Sequence, residues 1–318
     1  MKGATCEIKD CLASAGQGCH RGRELTECPH WGLSAVKKPS EVYPKNGTSH
    51  GWSGLGMGLS DIAIVAARNK PKVFGIVGPH NAGKTTILGM IYLLLKHGKR
   101  IGPASFAGSY SFTGWEGIAR HLQWKGDIPP AFPPHTELSE SRVPALLHFA
   151  LRAPEEKLND WLFTDAPGEW FKRWSLDVNA PDARGAVWVA EHSDVFLLVV
   201  DSEALASEDR GRARENYKTL IDRMAQVHDG RPVGLLWSKS DKAVPSSAAA
   251  SVREYFDRKK FLTEEFRLSV IEEDGKYTAS VSEFERLLSW MYSSTAKRLI
   301  VPPAFSVAPD DFFLSYRG

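Results

Sequence analysis

Val73-Phe74-Gly75-Ile76-Val77 runs into Gly78-Pro79-His80-Asn81-Ala82-Gly83-Lys84-Thr85-Thr86 and then into Ile87-Leu88-Gly89-Met90-Ile91-Tyr92-Leu93-Leu94. The first five residues are a β-branched and aromatic run suited to a buried strand, and the last eight suit an apolar helix. Between them stands GxxxxGK[ST] in strand, loop, helix order. The glycines let backbone N–H groups turn inward around phosphate oxygens, and the helix presents its positive N-terminal end to the same anion. Lys84 would reach the β- and γ-phosphates and Thr85 would ligate Mg²⁺. Gly78, Asn81, Ala82, Gly83, Lys84, Thr85 and Thr86 are thus expected around a nucleotide. A Gly-rich turn capping a core helix is the bland alternative.

Two later motifs each follow a predicted strand. Trp161-Leu162-Phe163-Thr164 delivers Asp165-Ala166-Pro167-Gly168-Glu169, a DxxG sequence. Asp165 at a strand end can hold Mg²⁺ through water, and the Gly168 N–H can approach a γ-phosphate because no side chain intervenes. Taken alone the tetrapeptide could be an ordinary turn. Pro232-Val233-Gly234-Leu235-Leu236-Trp237 ends in Ser238-Lys239-Ser240-Asp241. This resembles the [NT]KxD base-recognition motif of GTPases, in which a carboxylate accepts two hydrogen bonds from guanine and the lysine stem covers the base. Lys239 and Asp241 match. Ser238 replaces Asn or Thr, and its short hydroxyl has fewer bonds with which to tether the phosphate loop.

By the order of these three motifs, the chain resembles translation-factor-class (TRAFAC) P-loop GTPases over about residues 70 to 310. More narrowly it is similar to the bacterial double-GTPase families of predicted conflict or defence operons. The resemblance implies an α/β three-layer P-loop NTPase sandwich with a mostly parallel sheet, GTP and GDP as ligands, and a protein partner or second GTPase. Asp194 to Asp201 reads as the next core strand. Tyr217, Leu220, Ile221, Met224 and Val227 recur at helical spacing, and Ser280-Val281-Ser282-Glu283 is a capping box opening a helix with Phe284, Leu287, Leu288 and Met291 on one face. Ile300 to Val307 would be the final strand, placing Ser306 near a guanine-contacting SA motif. Too little chain then remains for a last helix, so Leu59 to Arg68 or a partner protein would cover that face.

Asp165 stands 80 residues after Thr85, so the switch region, about residues 100 to 160, is expanded. Within it Asp127 to Thr136 is too proline-rich for a helix, and Ala145 to Arg152 with Leu158 to Thr164 reads as an antiparallel hairpin. Thr136 is favoured as the switch threonine on Mg²⁺ because it precedes that hairpin; Thr113 competes. Glu169 follows the DxxG glycine, where small GTPases place the glutamine that orients water. Lys84, Thr85 and Glu169 form the expected catalytic set, although the Glu169 charge would repel a γ-phosphate unless compensated. No arginine finger can be assigned; Arg120, Arg142 and Arg173 stand nearby by sequence. In the form GxxNxGKT, Asn81 resembles the asparagine that helps hold a K⁺ ion in some GTPases, or it serves only as a turn residue tolerating unusual φ.

Among 318 residues, 40 are basic and 38 acidic, for a formal net charge of +2. That balance removes any global drive toward nucleic acid or anionic membrane. No apolar stretch is long enough to span a bilayer and the N-terminus lacks a signal-peptide core, so a cytoplasmic protein is expected. All four cysteines, Cys6, Cys11, Cys19 and Cys28, lie in the first 28 residues with Cys-x4-Cys-x7-Cys-x8-Cys spacing, His20 and His30 beside them. Four thiolates suit tetrahedral Zn²⁺, and so small a segment needs a staple. Free thiols, an Fe–S cluster or disulfides are the alternatives. The expected organisation is a Cys-rich zinc module at 1–35, a Gly/Ser/Pro-rich linker at 36–60 and the nucleotide-binding domain at 61–318. A GTP-hydrolysing switch accounts for all three motifs; an ATPase of an effector complex and a nucleotide-binding scaffold with negligible turnover remain in competition.

Overall fold

The computed structural model describes residue 24 and residues 54–123, 131–133, 144–154, 157–270 and 281–296. Cys6, Cys11, Cys19, Cys28, Thr136 and Ser306 lie outside the described residues, as do Arg142 and the expected strand at 300–307.

Among the described residues, seven strands form one sheet: β1 (Lys72–Val77), β2 (Ser105–Gly108), β3 (Ala145–Arg152), β4 (Leu158–Asp165), β5 (Val195–Asp201), β6 (Val233–Ser238) and β7 (Thr263–Arg267). Their spatial order is β2-β3-β4-β1-β5-β6-β7. Five neighbouring strands, β4, β1, β5, β6 and β7, run parallel, while β3 pairs antiparallel with both β2 and β4. The expected hairpin is present in full register, from Ala145 opposite Asp165 to Arg152 opposite Leu158. Because β1 is central, its carboxyl end and those of β4, β5 and β6 open onto one edge of the sheet, where ligands of open α/β folds bind.

Both sheet faces are covered, as parallel sheets require. On one face α2 (Lys84–Lys96), α3 (Phe112–Ala119) and α9 (Val281–Ala296) enclose Phe74, Ile76, Phe149, Phe163, Leu197 and Leu236. On the other, α4 (Gly168–Leu176), α5 (Arg184–His192), α7 (Arg210–Val227) and α8 (Ser246–Asp257) pack over Val77, Phe196, Leu198, Val200 and Trp237. The short α6 (Ser202–Ala206) follows β5 directly. Phe284, Leu287, Leu288 and Met291 are buried, so α9 helps to cover the face it shares with α2 and α3. The short α1 (Ile62–Ala66) takes a different place from the one expected of it: Val65 packs with Met57, Val73, Leu146 and Leu162 on the opposite face. The end of the Gly-rich segment is laid on the sheet as well, with Met57 bridged antiparallel to Leu146.

A buried polar cluster joins α1, β3 and β4. His148 and Asp160 are both fully buried, and His148 Nε2 lies 2.9 Å from Asp160 Oδ1. The Tyr110 N–H donates to His148 Nδ1 at 3.0 Å, which leaves Nε2 as the nitrogen that carries hydrogen and donates to Asp160. Arg68 donates to the same carboxylate oxygen. The Ser109 hydroxyl and the Trp115 indole N–H both donate to the His148 carbonyl. These bonds fix the chain between β2 and α3 to the central hairpin.

Candidate nucleotide-binding site

The loop between β1 and α2 wraps the carboxyl end of β1. Asn81 has φ 61° and Gly83 has φ 79°, both left-handed, so the chain coils tightly before α2 begins at Lys84. For Asn81 this is the turn geometry an asparagine tolerates. Lys84 is buried, and its ammonium donates to the carbonyls of Gly78 at 3.1 Å and Pro79 at 2.8 Å. Burial lowers its pKa to about 8, against the opposing charges of Asp165 and Glu169. An ammonium held among carbonyls with two carboxylates in range is poised to take a phosphate instead.

Thr85 opens α2 and Asp165 ends β4, and the Thr85 hydroxyl donates to Asp165 Oδ1 at 3.0 Å. A hydroxyl and a carboxylate converging at the mouth of the phosphate loop form the hard oxygen donor set that suits Mg²⁺. Three residues beyond, Gly168 presses on the phosphate loop: a Cβ there would stand 2.1 Å from the His80 backbone nitrogen. Only glycine fits, so the DxxG segment and the phosphate loop are in backbone contact. Glu169 follows at the first turn of α4, with Oε1 2.8 Å from His80 Nδ1.

At the other end of the site, β6 delivers Ser238, Lys239 and Asp241. Ser238 is buried next to Gly83, and its hydroxyl donates to the Val200 carbonyl at 3.2 Å, tying β6 to β5. Lys239 has φ 50°, and its ammonium bonds Asp201 Oδ2 at 2.9 Å and Glu203 Oε2 at 2.8 Å. Burial works against the Lys239 charge, but Glu203 and Asp201 outweigh it and hold the ammonium above the usual lysine range. Asp201 also caps α6, accepting the N–H groups of Glu203 and Ala204.

Asp241 accepts from the Ser269 hydroxyl at 2.8 Å and pairs with Lys242 at 3.1 Å. Burial would raise its pKa, yet the bonds from Ser269 and Lys242 prevail and keep the carboxylate below its ordinary range. Ser269 was not legible as a site residue. It sits two residues past β7, whose sequence Thr-Glu-Glu-Phe-Arg has one fully buried residue and no apolar run, so the strand announcing it does not read as one. Ser269 thus stands just beyond the end of β7, while Ser306 lies outside the described residues.

The β1–α2 loop and the segments that follow β4, β6 and β7 share one cavity of about 730 Å³, lined by His80 to Ile87, Ala166 to Gly168, Lys239, Asp241 and Leu268 to Val270. Phe132 and Pro133 of the expanded region line it too. Thr113 lies in α3 and does not line this cavity. Arg173 is paired with Asp182 at 3.0 Å and does not line the cavity, and Arg120 is exposed. Among the described residues no group of three or more His, Cys, Asp or Glu side chains could hold a metal ion, and no helix is long and apolar enough to cross a membrane.

A five-stranded parallel core with a phosphate loop after its central strand, an acidic strand end beside it and a carboxylate at the far end of the cleft defines a P-loop NTPase domain. The family model Double-GTPase 2 matches residues 72–291, and the chain belongs to that family. The solved structures similar to it include two mutation variants of SsGBP. One is 12% identical with TM-score 0.38, covering 74% of this chain and 61% of that chain. The other is 15% identical with TM-score 0.36, covering 74% and 60%. This chain thus spans about three fifths of the SsGBP chains it matches. No curated protein matches it.

Proposed function

We propose that the chain binds GTP with Mg²⁺ and hydrolyses it, acting as a nucleotide-dependent switch on a protein partner or second GTPase. One observation carries this reading: Thr85, whose hydroxyl bonds Asp165, and Asp241, held by Ser269, line a single cavity. Lys84 leaves its two carbonyl partners for the β- and γ-phosphates, and the backbone N–H groups of the loop close around them. Thr85 and Asp165 would hold Mg²⁺, which when bound offsets phosphate charge. Asp241 accepts from the guanine N1 and exocyclic amine, a pattern adenine lacks, while the Lys239 stem lies over the base. For hydrolysis, the oxygen of a water attacks the γ-phosphorus, the bond to the β–γ bridging oxygen breaks, and GDP departs. Glu169 would orient that water. Asn81 in the phosphate loop is the residue that would hold K⁺, and faster turnover in K⁺ than in Na⁺ is its signature.

A binding scaffold with negligible turnover is the second reading. It is favoured by the engagement of Arg173 with Asp182, which keeps that guanidinium from offsetting the Glu169 charge. Titration with labelled GTP and ATP followed by measurement of phosphate release separates the readings. The switch requires tight Mg²⁺-dependent GTP binding with phosphate release, the scaffold binding alone, and an ATPase preference for ATP.

A further inference from the structure

His80 is a phosphate-loop residue whose side chain the loop chemistry does not use. Its Nδ1 lies 2.8 Å from Glu169 Oε1, with the two side chains 45% and 43% exposed. A carboxylate only accepts, so Nδ1 carries the hydrogen. As a stabilising contact so exposed a pair is worth little. The second carboxylate oxygen behaves differently: Glu169 Oε2 is shielded from solvent and has no hydrogen-bond partner among the described residues. A shielded oxygen without a donor is costly unless something in the functional state supplies one.

Three further observations set this pair beside the phosphate loop. The Glu169 charge acts on Lys84, the phosphate-binding ammonium. His80 lines the nucleotide cavity alongside Lys84 and Gly168. Gly168 is in backbone contact with His80, so the two loops cannot slide apart without breaking that packing. The histidine therefore grips Glu169 from the side of the phosphate site, and its N–H offsets part of a charge that would otherwise face a γ-phosphate.

We infer that His80 is a positioning residue for hydrolysis. Nδ1–H holds Glu169 by Oε1 and leaves Oε2 without a protein donor, to accept from the attacking water once nucleotide binding admits one beside it. As the water oxygen bonds to the γ-phosphorus and the bridging bond breaks, the water proton passes to Oε2 and then to the phosphate product, leaving the carboxylate anionic again. This inference rests on the GTP-hydrolysing reading above and adds the residue that makes a glutamate workable at this place.

The test is single-turnover GTP hydrolysis by the full chain carrying His80→Ala, His80→Asn, Glu169→Gln or the His80→Ala/Glu169→Gln pair, with GTP affinity measured on each. The Asn amide can reproduce the Nδ1–H donor. The expected result is affinity within about two-fold throughout, a rate at least about ten-fold lower in His80→Ala, recovery in His80→Asn, and no further loss on adding His80→Ala to Glu169→Gln. An unchanged rate in His80→Ala, or losses that simply add in the double variant, overturns the inference while leaving the GTPase reading intact. Absence of phosphate release by the unaltered chain overturns both.

Discussion

Ser269 Oγ donates a 2.8 Å hydrogen bond to Asp241 Oδ1, so the loop after β7 orients the carboxylate delivered by β6. One oxygen is thereby fixed while Lys242 steadies the other. A carboxylate held in this way is prepared to accept two parallel N–H donors from a base edge.

Ser269→Ala is expected to weaken GTP binding by about ten-fold, the worth of one hydrogen bond to a charged group. ATP binding, which does not use the carboxylate, should change by less than about two-fold. Fluorescent-nucleotide titration measures both; equal weakening of the two nucleotides would show that Ser269 supports the cavity rather than base recognition.

The buried Lys84, lowered to about 8 in the empty protein, makes nucleotide affinity depend on pH. A bound triphosphate favours the ammonium and raises its pKa, so binding takes up a proton once the free lysine is neutral. Affinity should be level below pH 8 and fall by up to about ten-fold per unit above it. The folding term has the opposite sense. From about 8 to the ordinary 10.5 the unfolded chain holds more protons, so the Lys84 contribution to stability rises with pH across that window. Titrations between pH 7 and 9 test the binding term, and an affinity that does not fall above pH 8 would contradict it.

His148→Leu removes the donor to buried Asp160 Oδ1 and the acceptor of the Tyr110 N–H. Leaving a buried carboxylate short of a partner should lower unfolding free energy by about 3 kcal/mol. Urea denaturation of the full chain measures it. A change below about 0.5 kcal/mol would mean that Arg68 alone satisfies Asp160.

The parts legible in the sequence are those where composition and burial agree. Phe74 to Val77 is apolar because β1 is central and covered on both faces, and Phe284 to Met291 keeps helical spacing because one side of α9 meets the sheet. The hairpin partners Ala145 to Arg152 and Leu158 to Thr164 are legible as strands for the same reason, while their register is seen only in the fold. At the edges this agreement fails. β7 carries Glu264, Glu265 and Arg267 around a single buried Phe266, so its pattern is that of a charged surface segment, and Ser269 went unseen with it. His80 was unreadable for another reason: the phosphate-loop pattern leaves that position open, and its link to Glu169 is made by folding, across 89 residues of chain. The pairing of Lys239 with Asp201 and Glu203 likewise joins two strand ends that only the order of the sheet brings together.

The central claim is that this cleft selects a guanine nucleotide through Asp241. Its most direct test is the dissociation constant for GTP and for ATP, in Mg²⁺, of the unaltered chain and of Asp241→Asn. The account predicts that the unaltered chain binds GTP about a hundred-fold or more tightly than ATP and that the variant loses most of that preference. Equal affinity for the two nucleotides in the unaltered chain, or a preference that survives Asp241→Asn, would contradict it.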